Sequence, residues 1–152
     1  MESSSCDPLQ SFIAVPTGYD AVVGMRFLSA SGCLVEAELE VESRHLQIHG
    51  MVHGGVYSTL VETTCSVGAT LGGIDGYKAV GVENHTSFLG SAGHGDRLLV
   101  AARPLLNSTR SPLWEATITN SRSSSIVARG QVRFLRLAAA QSPVSGEVDS
   151  SS

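Results

Sequence analysis

The hydrophobic pattern of this chain changes period once, and that change limits the available folds more than any other feature. Over residues 33–42 the sequence alternates strictly. Val35, Ala37, Leu39 and Val41 point one way, and Glu36, Glu38, Glu40 and Glu42 the other. That period of two predicts a half-buried strand. Residues 25–28, joined to it through Ser29-Ala30-Ser31-Gly32, make a hairpin partner. Beyond Gly50 the repeat becomes helical and predicts one helix over 54–71. Val56, Tyr57, Leu60, Thr64, Val67 and Leu71 fall on one side; Gly55, Ser58, Thr59, Glu62, Ser66 and Ala69 fall on the other. Gly72-Gly73 ends the helix. Four further strand-like runs follow, at 78–89, 97–105, 112–120 and 125–136.

Two strands, one long helix and four strands define an α+β layout. A six-stranded antiparallel sheet must cover one face, and a single helix is the only element able to do so. The economical solution is a curved sheet wrapped around that helix. We place this domain at 18–137, with an N-terminal tail over 1–17 and a C-terminal tail over 138–152, both rich in Ser, Ala and Pro without periodicity.

The formal net charge of −4 speaks against non-specific nucleic-acid binding, which needs an extended basic face. Seven arginines between residues 97 and 136 are set against Glu115 alone. They serve either solvated strand faces or a small phosphorylated ligand. No apolar run approaches the ~18 residues of a membrane span, and the first five residues show neither a basic start nor an apolar stretch, unlike a secretory signal. Cys6, Cys33 and Cys65 are odd in number and widely spaced, which points to a reducing cytoplasm.

The second face of the helix carries small residues and one carboxylate, Glu62. A charge in a crowded, partly dry position is costly unless it is hydrogen-bonded or works chemically. Ser58 and Ser66, four residues to either side, are placed to orient it; the alternative is a solvent-facing glutamate. At the helix start, Val52-His53-Gly54-Gly55 puts glycines where unpaired backbone N–H groups project. An oxyanion arising from a carbonyl is stabilised at such a point. Together, a carbonyl held at Gly54 and a carboxylate deeper in the same cleft form an acyl-transfer site.

His53-Gly54-Gly55-Val56-Tyr57-Ser58-Thr59-Leu60-Val61-Glu62, followed by Ala79-Val80-Gly81-Val82-Glu83-Asn84-His85-Thr86-Ser87-Phe88, resembles the hotdog-fold acyl-CoA thioesterases. The likeness is to the branch of the Arthrobacter-type 4-hydroxybenzoyl-CoA and phenylacetate-pathway enzymes, and spans residues 20–136. It implies a hotdog fold paired into homodimers and commonly into homotetramers as dimers of dimers, with active sites between subunits. It implies hydrolysis of an aryl-CoA or of a short- or medium-chain acyl-CoA without metal or other cofactor, CoA being part of the substrate. By position, Glu62 matches the nucleophile or general base, Gly54 the N–H donor to the thioester carbonyl, and Gln47 a glutamine assisting there. His53 and Ser66 match positions that orient Glu62 or the hydrolytic water. Asn84, His85, Thr86 and Phe88 are candidate substrate contacts. Leu89-Gly90-Ser91 departs from the usual basic residue and proline, so the CoA phosphates need another partner, for which Ser108 and Arg110 in the 107–111 turn are the candidates.

His45, His49 and His53, spaced by four, suit zinc on a helix, but Gly50 and Gly54 interrupt one there. Cys65 with a nearby histidine is a conceivable thiol nucleophile, against the reading of a small core residue. There is no G-x-S-x-G elbow, P-loop or G-x-G-x-x-G. A hotdog dehydratase or hydratase, and a non-catalytic acyl-CoA-binding module, are the alternatives from other classes. Phe88, Leu89 and Trp114 are either pocket-lining or core residues.

Overall fold

A computed structural model describes residues 8–139. Its elements are α1 (Pro8–Ala14), α2 (Gly18–Val23), β1 (Arg26–Ala30), β2 (Val35–Glu40), α3 (Gly54–Leu71), β3 (Tyr77–Phe88), β4 (Arg97–Leu106), β5 (Leu113–Asn120) and β6 (Ser125–Ala138). A short 3-10 turn, Ser43–His45, precedes α3. The six strands form one antiparallel sheet in the order β1-β2-β4-β5-β6-β3. α3 packs against the concave face and touches every strand.

The core lies between α3 and the inward residues of β2, β4, β5 and β6. Leu60, Val61, Leu39, Leu98, Ile118, Val132 and Phe134 are all buried there. Trp114 of β5 is buried as well and lies against the helix at Gly68, where an added Cβ would stand 2.2 Å from the indole ring. Neither the ring nor the helix backbone can withdraw cheaply from such an overlap. Gly68→Ala is therefore expected to cost about 1–3 kcal/mol through overpacking, read as a lowered urea midpoint at unchanged slope. An unchanged midpoint would show that this contact is not tight.

The expected tail over 1–17 needs correction in its second half. Residues 8–14 form α1, whose Leu9, Phe12 and Ile13 pack on the core, with Phe12 and Phe27 rings 5.9 Å apart. Three apolar residues at i, i+3 and i+4 are too short a run to register as a period, yet they bury one face. Residues 1–7 lie outside the described residues, as do residues 140–152 of the expected C-terminal tail; β6 itself runs to Ala138.

Two side chains also face differently from the pattern. Glu38, on the polar side of β2, is only 3% exposed, because Arg26 of β1 and Arg97 of β4 close over its carboxylate from the neighbouring strands. Ala69, assigned to the polar helix side, is fully buried. The arginines of 97–136 are largely spoken for. Arg97 pairs with Glu38, Arg122 with Asp96 and Arg133 with Glu83. Arg136 donates to the Gly72 carbonyl (3.0 Å) past the helix C-terminus and to the Ser108 carbonyl (3.2 Å), where a cation suits the helix dipole. No helix among the described residues is long and apolar enough to cross a membrane.

Candidate functional site

α3 starts at Gly54 because His53, in extended conformation (φ −66°, ψ 136°), caps it: the Gly55 N–H donates to His53 Nδ1 at 2.9 Å. As the first helical residue, Gly54 has an N–H with no acceptor one turn back. It lines a hollow of about 220 Å³ together with Gln47, Met51, Val52, Tyr57, Phe88, Gly90 and Ser91. A Cβ at Gly54 would stand 2.4 Å from the Phe88 ring, so glycine is what lets this aromatic lie over the helix start. Gln47 opens the 47–50 turn, its side-chain oxygen accepting from the His49 N–H and its backbone N–H donating to the Met51 carbonyl (2.8 Å). Burial pushes the Tyr57 phenol above its ordinary range, so it stays protonated.

Two turns further on, Glu62 is half-buried and held from β3. Asn84 Nδ2 donates to Glu62 Oε2 at 2.9 Å and to the Ser58 carbonyl at 3.1 Å, while Thr86 Oγ1 donates to Asn84 Oδ1 at 2.7 Å. That chain of three fixes which way the amide faces. Gly81 leaves the space for the acid, since a Cβ there would stand 2.5 Å from Glu62 Oε1. The flexible end of Glu62 can yield to such a Cβ, so the fold should tolerate it. Gly81→Ala is expected to keep its melting temperature within about 2 °C and to lose about 10²-fold in any activity that uses the carboxylate. Full activity would mean that the acid's position is immaterial.

The expectation that Ser58 and Ser66 orient Glu62 needs amendment. Among the described residues neither hydroxyl bonds the carboxylate; Ser58 contributes its carbonyl to Asn84, and Ser66 lines a second hollow beside Glu62. That hollow, about 270 Å³, is also lined by Leu9, Phe12, Asp20, Thr63, Val67 and Thr70. Gly54 and Glu62 thus do not share a cleft within one chain. Eight helical residues separate them by about 12 Å along the axis. Gln47, His53, Gly54 and Phe88 gather at one place, and Glu62, Ser66, Asn84 and Thr86 at another.

The remaining candidates lie apart from both. His85, like Leu89, points to the outer face of the sheet beside Arg129 and Gln131. Ser108 Oγ accepts the N–H groups of Arg110 (3.3 Å) and Ser111 (3.1 Å) in a turn that Arg136 ties to the far end of α3. Trp114 is core. His45 is buried, taking the Glu42 N–H on Nδ1 (2.9 Å) and bonding the Val23 carbonyl through Nε2 (2.7 Å), so its ring is fully used in structure. Cys65 is fully buried, and burial, together with the Glu62 and Glu115 charges, pushes its thiol far up. A protonated, enclosed thiol is a core residue rather than a nucleophile. Gly81 and the Asn84–Glu62 bond are what the sequence reading missed. The signal lay in Asn84 and Thr86 standing two apart on one strand face, below the same helix.

A curved antiparallel sheet around one long helix, with a carboxylate held on that helix and its glycine start open, is the hotdog arrangement. Residues 49–127 match the thioesterase superfamily. A Mycobacterium tuberculosis (strain H37Rv) protein named "Putative esterase Rv1847" is 35% identical, across 91% of this chain and 99% of its own. The structure of that esterase superposes with a TM-score of 0.74 over 81% of this chain and 98% of its own. Human acyl-coenzyme A thioesterase 13 is 25% identical over 74% of this chain and 81% of its own. A Streptococcus mutans protein crystallised with acetyl CoA shares the fold, with a TM-score of 0.69 at 23% identity over 75% of this chain and 89% of its own. This chain belongs to the thioesterase superfamily.

Proposed function

We propose that the protein hydrolyses acyl-CoA thioesters at a site completed by two copies of the chain, with Glu62 from one and the Gly54 N–H from the other. The observation that carries this reading is the Glu62 carboxylate held by Asn84 above the gap at Gly81, on a helix whose first N–H meets no acceptor among the described residues. The named acyl-CoA thioesterase relative and the acetyl CoA-bound fold neighbour support the substrate class.

The ~12 Å between Gly54 and Glu62 along α3 supports a second copy, and symmetry suggests its position. β3 is a twelve-residue edge strand, exposed except at Ala79 and Thr86, with Val80, Val82 and Phe88 open to solvent. Such an edge invites pairing. A two-fold axis that lays Gly54 of one helix beside Glu62 of another must pass near Ser58, midway between them. One that lays the Phe88 end of β3 opposite Gly81 passes between Asn84 and His85. Ser58 and Asn84 are hydrogen-bonded to each other, so a single axis meets both demands.

In the reaction, the Gly54 N–H and Gln47 polarise the thioester carbonyl. Glu62 either takes a proton from the attacking water or attacks the carbonyl itself to give an anhydride that water opens. The C–S bond breaks, the thiolate of CoA leaves and is protonated, and the free acid remains. In this reading His53 and Ser66 position the partners of the reaction, while Arg110 and Ser108 serve the CoA phosphates. The likeness to the Arthrobacter-type branch belongs to the same reading. A thiol-release screen over aryl-, short-chain and medium-chain CoA esters tests it. Turnover of at least one class is expected; tight acyl-CoA binding without thiol release would favour a binding module instead.

A further inference from the structure

The hollow beside Glu62 lies between the outer side of α3 and the two N-terminal helices, which supply three of its eight lining residues. Leu9 and Phe12 come from α1 and Asp20 from α2, while Thr63, Ser66, Val67 and Thr70 come from the outer side of α3. Glu62 itself lines this hollow, which makes it the space beside the carboxylate where an acyl substituent has room. Leu9, Phe12 and Val67 supply apolar surface there, and the hydroxyls of Thr63 and Thr70 are turned to protein partners. Thr63 Oγ1 donates to Asp20 Oδ1 (2.6 Å) and Thr70 Oγ1 to the Ser66 carbonyl (2.7 Å).

Phe12 is not a loose flap. Its ring packs at 59° against Phe27 of β1, and the Thr63–Asp20 bond fastens α2, and with it the end of α1, to the helix. At about 270 Å³ the hollow lies just under the ~300–1,000 Å³ typical of pockets for drug-sized ligands. A single ring or a short branched chain fits such a space, with Phe12 as the one aromatic side chain in its lining.

We propose that Phe12 is a specificity-determining residue: the end wall of the acyl pocket, restricting the enzyme to CoA esters of compact acyl groups, aromatic or short-chain. This rests on the hydrolase reading above, with Glu62 at the reacting carbon, and adds the acyl class to it. The N-terminal helix is then part of the substrate site, and acyl length is read by a residue far in sequence from the catalytic helix.

The test is a series of straight-chain acyl-CoA esters of increasing length, with benzoyl-CoA, run on the full chain and on Phe12→Ala and Phe12→Trp. Binding of the corresponding non-hydrolysable thioether analogues is measured in parallel. Phe12→Ala is expected to move the kcat/KM optimum to longer chains, gaining about fourfold for each methylene newly buried. Phe12→Trp is expected to move it to shorter chains and to weaken benzoyl-CoA. Opposite shifts exclude a mere loosening of α1, which would change all lengths alike. An optimum at the same length in all three proteins overturns the proposal. If no ester releases thiol, the hydrolase reading fails, and the analogue affinities still decide the wall: the same opposite length shifts support it, and flat affinities or no binding overturn it.

Discussion

Glu62→Gln is expected to abolish steady-state thioester hydrolysis while leaving the fold intact. The substitution is nearly isosteric, and the amide oxygen of the new side chain can still accept from Asn84 Nδ2, which now lies 2.9 Å from the carboxylate. Gly81 still provides the room. What disappears is the negative charge, and with it both chemical roles open to this residue. An amide neither takes a proton from water nor attacks a carbonyl. A positioned general base is worth about 10²–10⁴ in rate, and the loss of a nucleophile costs at least as much. Stability should change by less than about 0.5 kcal/mol, because the residue is half-buried and has no ionic partner among the described residues. Thiol release, measured beside thermal unfolding, separates the two effects. Near-wild-type turnover on every good substrate would remove Glu62 from the chemistry.

How far the sequence reveals such a site depends on where the determining contacts lie. The helix over 54–71 was legible because its apolar residues repeat at one period and glycines bound both ends, and α3 spans Gly54–Leu71. The four later strands were legible for the corresponding reason, their alternation being broken by turn residues. Glu38 shows where this reading stops. Alternation gives the face on which a side chain lies, but not that Arg26 and Arg97 from two other strands converge on it. α1 escaped because seven residues hold too little pattern, although its burial on Phe27 is specific. Glu62 could be singled out from the helix alone. Its true partner, Asn84, is 22 residues away on an edge strand, and only the strand register β3 keeps with β6 brings it beneath the helix. The nearer serines, at i−4 and i+4, were the natural local guess, and tertiary geometry overrode them. The separation of Gly54 from Glu62 was implicit in helical rise, yet it matters only once the two hollows are known to be distinct.

That separation gives the second large effect. Gly54→Pro is expected to lower turnover by about 10²–10³, the usual consequence of removing one oxyanion donor, without unfolding the protein. Proline is welcome at the first position of a helix, where its missing N–H had no intrahelical partner. It also requires an extended residue before it, and His53 already is one (φ −66°, ψ 136°). The cost in packing falls on the Phe88 ring, which the new Cβ would meet. Gly54→Ala introduces the same Cβ but keeps the N–H, so the difference between the two variants isolates the donor. If alanine and proline are equally impaired, the damage comes from Phe88 and the N–H is idle. The same variant also tests the two-copy site. When Gly54→Pro and Glu62→Gln chains are refolded together, each mixed dimer carries one site with both lesions and one site with neither. With random pairing in a two-fold dimer, about a quarter of wild-type activity should return, although each parent alone keeps at most about a hundredth of it. A site contained within one chain has no such repair available, because every chain in the mixture is defective. Recovery on mixing therefore requires that Glu62 act on a carbonyl held by the other copy's helix, whereas a mixture as inactive as its components would place both groups in a single protomer, against the ~12 Å that the helix puts between them.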